Sequence, residues 1–322
     1  MFVSLRDMLH AKGRFLLMSG TVALITFLLV GLSALTGGLA KQNTSALEAL
    51  NPAQIVIAVH DGSPARFDTS QITPQQQEQW AAAVGVEPTP IGIRQGRLSA
   101  SDSEAVTYIG LPVGTVIPGG QGEIHAGQLM YDKELTYSHM PVVWTDFATW
   151  QEKTHNQQPT ALLLDEPVAS NHGDIAGTQA LSLCQAFQAL PAYSSEHGSL
   201  LTMQALLYAI SALVIVAFLS IWTMQRTRDV AIMRSLGASR SFVLKDALGG
   251  AALTIIIGVS IGTIAAAGLM LLASAVVPVQ LGLSTILLPA VGTSILGLAA
   301  AWLATRRVTT INPLLALGAS LS

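Results

Sequence analysis

The chain has one cysteine, Cys184, in 322 residues, so no intrachain disulfide can form and no covalent staple supports the fold. That lone thiol is expected to behave as a small buried apolar side chain. Charge is nearly as scarce. Asp, Glu, Lys and Arg make up 11% of residues, against roughly 25% in soluble domains. No internal repeat, long charge run or collagen-like segment occurs, and nucleic acid is not an expected partner. Catalytic signatures are also missing. None of the five lysines sits in a GxxxxGK[ST] phosphate loop, there is no HExxH, and the seven histidines form no closely spaced Cys/His metal set. Ser194, Ser195 and His197 lie close together without a nucleophile elbow, and read as a polar junction.

What the chain has instead is apolar length. Hydrophobic residues reach 51% and mean hydropathy is +0.52. Four stretches, at 15–40, 203–224, 247–275 and 283–304, each hold at least about 20 residues free of Lys, Arg, Asp and Glu. At about 1.5 Å per residue each can cross a hydrocarbon core of roughly 30 Å. The fold class expected is therefore a membrane protein with four transmembrane α-helices in a 1 + 3 arrangement and one α+β extracytoplasmic domain between the first and second. Gly38-Leu39-Ala40 faintly resembles a cleavage site, but the apolar run is too long for a signal peptide, and an uncleaved anchor is expected.

Charge sorts by side. The 1–14 flank, the 225–246 loop and the 305–322 tail hold ten basic residues against three acidic ones, whereas 41–198 holds six basic and sixteen acidic. Because short loops rich in Lys and Arg stay inside, both termini are expected in the cytoplasm and the 41–198 domain outside a bacterial cytoplasmic membrane. The expected order is a cytoplasmic amphipathic helix (1–14), the first span (15–40), the outer domain with a helix extension at 41–50, and the second span (199–224). A cytoplasmic coupling helix and loop (225–246), the third span (247–275), the fourth (283–304) and a cytoplasmic tail (305–322) follow.

Within the outer segment, β-rich runs fall at 54–60, 106–116, 141–144 and 161–164, separated by Gly, Pro, Asp and Ser. Helical patterns fall at 74–84, 146–153 and 174–190, the last with Asp174 as its N-cap. Leu162-Leu163-Leu164-Asp165-Glu166-Pro167 imitates the acidic strand end of an ATP-binding cassette ATPase. Without a phosphate loop it reads as a buried strand ending in an acidic turn, and the chain is not expected to be an enzyme. In the third span, Gly258 and Gly262 form a small-xxx-small pattern that lets helices approach closely.

The loop after the second span reads Arg226-Thr227-Arg228-Asp229-Val230-Ala231-Ile232-Met233-Arg234-Ser235-Leu236-Gly237-Ala238-Ser239-Arg240. Val230, Met233 and Leu236, with Ile232, make an apolar helical face, and Gly237 can end the turn. This run resembles the coupling helix of permeases of the MacB/FtsX-type ABC transporter family, with Asp229-Val230 where Glu-Ile is common. Ile311-Asn312-Pro313-Leu314-Leu315-Ala316-Leu317 is similar to the family's tail. The resemblance implies a homodimer that works with two cytoplasmic ABC ATPase subunits, which bind the ATP and Mg. Closure of those ATPases would be received through Arg228, Asp229, Ile232, Met233, Leu236 and Gly237. The chain would hold no intrinsic cofactor, and its other neighbour is membrane lipid.

The short outer domain is most similar in plan to the haem-efflux permeases of this family, so haem is the expected substrate. A carboxylate at the outer leaflet would suit its iron. Glu48 is the leading axial ligand, at the end of a helix continued through 44–50 and stopped by Asn51-Pro52, with apolar neighbours. Glu196, His197, Met203 and Tyr208 are weaker candidates, Met203 reading also as packing and Tyr208 as an interface anchor. Two alternatives stand beside haem export: a mechanotransmitter acting on a cell-wall hydrolase or sensor, and a lipid or lipoprotein extractor.

Overall fold

The computed structural model describes residues 12–59, 63–98, 104–118, 122–168, 174–225 and 239–308. The coupling residues Arg228, Asp229, Ile232, Met233, Leu236 and Gly237, the tail motif and most of the 1–14 segment lie outside the described residues. In chain order the elements are α1 (Lys12–Leu50), β1 (Gln54–Ala58), α2 (Pro74–Val84), β2 (Thr89–Arg97), β3 (Ala105–Leu111), β4 (Leu129–Tyr137) and β5 (Met140–Asp146). They continue with α3 (Phe147–Thr154), β6 (Ala161–Leu164), β7 (Asp174–Ile175), β8 (Thr178–Ser182), α4 (Leu183–Gln188), α5 (Pro191–Gln225), α6 (Arg240–Ala273) and α7 (Leu283–Val308). The chain divides into two units, one of Met1–Gly37 with Leu200–Ser322, the other of Gly38–Ser199.

The first unit is a membrane helix assembly. Phe15–Leu50, Pro191–Phe218, Leu248–Ala273 and Leu283–Ala304 are each long and apolar enough to cross a bilayer. Their outward faces are apolar as well, with Leu213 70% and Leu272 80% exposed, as expected where the solvent is lipid. Inside, Met18, Val22, Ile215, Ile255, Val259 and Ala301 form the packed centre. Gly258 and Gly262 do bring α6 close to α1. A Cβ at Gly258 would lie 2.8 Å from Ser19 O, and Gly262 sits against Ala23 and Thr26. The Thr26, Thr254 and Thr293 hydroxyls donate to the carbonyl four residues back, so these three buried hydroxyls are satisfied within their own helices.

The second unit is built on an eight-stranded sheet in the order β4-β5-β3-β2-β6-β1-β8-β7. All its neighbouring pairs are antiparallel except β3 with β5. Both faces are covered at β1 and β6, so these strands read as near-continuous apolar runs: Val56 and Ala58 face one side, Ile55 and Ile57 the other. One face packs on Ala46 and Leu47 of α1 and on Ala186, Ala189 and Leu190. The other face is covered in two patches, by Trp80 of α2 and by Trp150 of α3. Both covering helices are capped from their sequences. Thr73 and Gln76 form a capping box at α2, and Asp146 accepts from Thr149 N–H at 3.0 Å to start α3. Burial works to raise the Asp146 carboxyl, but its hydrogen bonds from Thr149 and Gly127 prevail and hold it below the usual range.

Three expectations need correcting. Residues 174–182 are not helical: Ala176 and Gly177, at φ 52° and 74°, turn β7 back onto β8, and only Leu183–Gln188 forms a helix. Two consecutive positive-φ residues are a hairpin signal that outweighs the helical spacing. Cys184 is exposed, because it lies on the open side of that short helix. Strands β2 and β4 also occur where no strand is expected, since Pro90, Gly92 and Gly96 interrupt β2 and polar residues dominate β4. The acidic imitation motif is a buried strand, β6, followed by exposed Asp165 and Glu166.

Gly92 and Gly110 are register partners across β2 and β3, and together they form the floor on which the Trp150 ring lies. A Cβ at either would come within 2.5 Å of that ring. Gly92→Ala or Gly110→Ala is expected to destabilise the domain by about 1–3 kcal/mol, from overpacking. Thermal unfolding followed by tryptophan fluorescence will read this as a lowered midpoint, and an unchanged midpoint would contradict the packing described.

Candidate functional site

In the sheet unit, the last two turns of α1 are where polar groups gather. Asn43, Thr44, Ser45, Ala46 and Leu47 are all buried. Their polar side chains are held: Thr44 Oγ1 donates to Ala40 O at 2.9 Å, and Asn43 Nδ2 donates to Leu39 O at 3.0 Å. The Ser45 hydroxyl reaches β4, accepting from Thr136 N–H at 2.8 Å. Glu48 is the first exposed residue after this buried run. The helix ends just beyond it, where Asn51 N–H donates to Glu48 O at 3.1 Å and Asn51 takes a left-handed φ of 46° before Pro52. Among the described residues the Glu48 carboxylate has no hydrogen-bond or ion-pair partner.

A second carboxylate is fully engaged. Glu196, near the start of α5, accepts from Asn43 Nδ2 at 3.0 Å, and its Oε1 lies 2.9 Å from His139 Nε2. His139 Nδ1 in turn lies 3.2 Å from Gln42 Oε1. The backbone doubles the link, since Ser138 N–H donates to Asn43 O at 3.2 Å and His139 N–H to Gln42 O at 3.1 Å. Ser138 and His139, at φ 49° and 66°, form the tight turn between β4 and β5. One polar knot therefore ties α1, the β4–β5 turn and α5 together. Gln42, Asn43 and His139 do not stand out in the sequence, because Ser-His lacks the Asn-Gly signature of such a turn and the contacts join residues about 60 to 150 positions apart.

The other candidates are placed differently. His197 stacks on Tyr193 of its own helix, ring centroids 5.1 Å apart and planes 9° from parallel, and its Nδ1 is buried without a partner among the described residues. Met203 and Tyr208 belong to the membrane unit. Met203 is 54% exposed, and Tyr208 lies over Gly292 of α7, its hydroxyl 3.1 Å from where a Cβ would stand. No group of three His, Cys, Asp or Glu side chains able to hold a metal occurs among the described residues.

Comparison with known proteins places the membrane half. Residues 201–313 match the FtsX-like permease C-terminal family, a range that takes in α6, α7 and all but the first turns of α5. The chain carries an FtsX-like permease domain. It is 24% identical over 340 residues to a Staphylococcus haemolyticus (strain JCSC1435) protein named as a hemin transport system permease, HrtB, covering 92% of this chain and 94% of that relative. The membrane half thus resembles an FtsX-like permease, and the four long apolar helices fit a protein that spans a membrane.

Glu196→Ala leaves the Asn43 amide and the His139 ring without their shared acceptor. The pair is partly exposed, so the expected cost is about 1 kcal/mol. Amide hydrogen exchange at Ser138 and His139 is expected to accelerate in this variant, while exchange in β1 stays slow. Unchanged exchange at the turn would show that the knot does not hold it.

Proposed function

We propose that this permease is the membrane subunit of an ABC exporter that takes haem from the outer leaflet and expels it when partner ATPases close. The observation that carries this reading is Glu48, an unpaired, exposed carboxylate at the end of a helix whose preceding five residues are buried. The similarity to a relative named for hemin transport supports the same substrate. A carboxylate oxygen is a weak, exchangeable axial donor for ferric iron, which suits a site that must release its cargo, and the porphyrin would lie against apolar surface. Two subunits would present two such carboxylates, and haem is substrate here, not a resident cofactor.

In this proposal the sheet domain lies outside the membrane and the 225–246 loop inside. Two ABC ATPases dock on Arg228, Asp229, Ile232, Met233, Leu236 and Gly237, and their closure moves α5. Motion of α5 reaches the sheet through Glu196 and the β4–β5 turn, which also grips α1 five residues before Glu48. That knot favours a second reading as well, in which the same relay drives a cell-wall hydrolase or sensor instead of a cargo.

Two experiments separate the readings. Haem titrated into the purified dimer, followed at the Soret band, is expected to bind saturably to wild type and at least about tenfold more weakly to Glu48→Ala. No saturable binding would sink the haem reading, and equal binding by the variant would sink the ligand. Separately, Met233→Asp places a charge on the coupling face and is expected to abolish haem tolerance in cells while the protein still inserts. Full tolerance in that variant would remove the coupling role.

A further inference from the structure

The sheet has a gap. β6 begins at Ala161 and pairs with β2 only across Thr89, Pro90 and Ile91. Beyond that, Thr160 substitutes for a strand: its hydroxyl accepts from Ile93 N–H at 2.9 Å and donates to Ile93 O at 3.2 Å. Past Ile93, no strand pairs with β2 on that side among the described residues. The pairing pattern shows which backbone groups face the gap. Leu98 N–H donates to Glu104 O at 3.1 Å, so even-numbered residues of β2 point their amides at β3 and odd-numbered ones point away. The Gln95 N–H and C=O therefore face the gap.

A cavity of about 570 Å³ occupies this place, lined by Ile93, Arg94 and Gln95 of β2 and by residues on both faces of the sheet, among them Gln71, Tyr137 and Gln158. Ser70, Thr160 and Asp68 in this lining are hydrogen-bonded, but other polar groups are unspent. Among the described residues the side chains of Gln71, Arg94, Gln95, Asn156 and Gln158 make no hydrogen bond or ion pair, and the indole N–H of Trp150, itself 1% exposed, has no acceptor. The one carboxylate in the lining, Asp68, is already neutralised by Arg66 through two hydrogen bonds of 3.0 and 2.8 Å, leaving Arg94 as an uncompensated charge. Burial, with the Asp68 carboxylate nearby, pushes the Tyr137 hydroxyl far above the usual phenol range, so it remains a donor.

The chemistry of this lining selects its occupant. Side-chain amides and a free strand edge both donate and accept, as a peptide backbone does. A sugar would need an open aromatic face, yet Trp150 lies flat on Gly92 and Gly110 with Phe147 stacked 5.3 Å from it, and Phe67 and Tyr137 are 3% and 5% exposed. We infer that the gap beside β2 accepts an extended peptide segment of a partner protein, which adds as a short strand along Gln95–Arg97 and places a carboxylate on Arg94. Thr160 occupies Ile93 and the Tyr108 hydroxyl donates to Arg97 O, so the free groups are Gln95 N–H and C=O and Arg97 N–H; at about 3.3 Å per residue this edge runs roughly 7 Å, room for about three residues. Main-chain bonds supply the affinity, and the Arg94 pair sets the sequence preference. This site is separate from Glu48 and does not rest on the haem reading.

The test uses the full-length permease in lipid nanodiscs and a displayed library of random hexapeptides. Sequences carrying Asp or Glu are expected to enrich on wild type over Gln95→Pro, which removes only the outward-facing donor and spares the β2–β3 ladder. The enriched peptide, made with a fluorophore and read by anisotropy, is expected to bind saturably. N-methylation of alternate backbone amides, or Arg94→Glu, should weaken it at least about tenfold. Arg94 is exposed, so that variant keeps the fold even if Gln95→Pro does not. Absence of enrichment, indifference to N-methylation, or enrichment of carboxylate-free peptides that ignore Arg94→Glu would each overturn the inference. So would a chito-oligosaccharide that binds and displaces the peptide while surviving Gln95→Pro. Haem titration of both variants is expected to match wild type, which keeps a failure here distinct from a failure of the haem reading.

Discussion

One helix that does not stop where its apolar run ends sets the terms for the sheet domain. Nothing in Asn43–Leu47 can face water, because all five residues are buried, and each buried polar side chain among them has found a backbone or side-chain partner within about 3 Å. A helix turn enclosed on every side fixes its own rotation about its axis, since any slip would bury Glu48 unpaired at a cost of several kcal/mol. The carboxylate emerges where the helix first escapes the sheet, and Asn51-Pro52 prevents it from going further. Position and exposure at Glu48 are thus consequences of how the preceding turn packs.

The same turn explains why the β4–β5 hairpin bears on the helices. Its tip donates two backbone N–H groups to Gln42 and Asn43 and offers one imidazole to Glu196, so three elements distant in sequence share a set of short bonds. Partial exposure makes each bond modest, but a network loses more than one contact when a member is removed. At the other edge of the β2–β3 ladder the sheet is left incomplete, and the unspent amides there contrast with the knot, where nearly every donor has an acceptor.

Long-range character decided what could be read in advance. The four spans were legible because a run of about 20 apolar residues has few other uses. β1 and β6 were legible as short buried runs, and α2 and α3 from their helical patterns, whereas their caps, Thr73 and Asp146, emerged only in the structure. Strand β2 was hidden by Pro90 and by the two glycines that the Trp150 ring and Tyr108 require, features with meaning only once α3 is packed on the sheet. The β7–β8 hairpin was hidden because Ala176-Gly177 sits within a passable helical pattern. At the site, the helix end at Glu48 followed from local signals, Asn51-Pro52 above all. The engagement of Glu196 did not, because its partners, Asn43 and His139, approach only through the β4–β5 turn.

Substrate-coupled ATP hydrolysis tests the central claim most directly, because it requires the carboxylate, the relay and the ATPase to act as one. With the permease and its ATPase reconstituted together in nanodiscs, haem is expected to raise the hydrolysis rate in a saturable way, with no rise when Glu48 is replaced by alanine. A rate indifferent to haem in the wild-type complex, or stimulated equally without Glu48, would contradict the assignment of this permease as a haem exporter gripping its cargo at the end of α1.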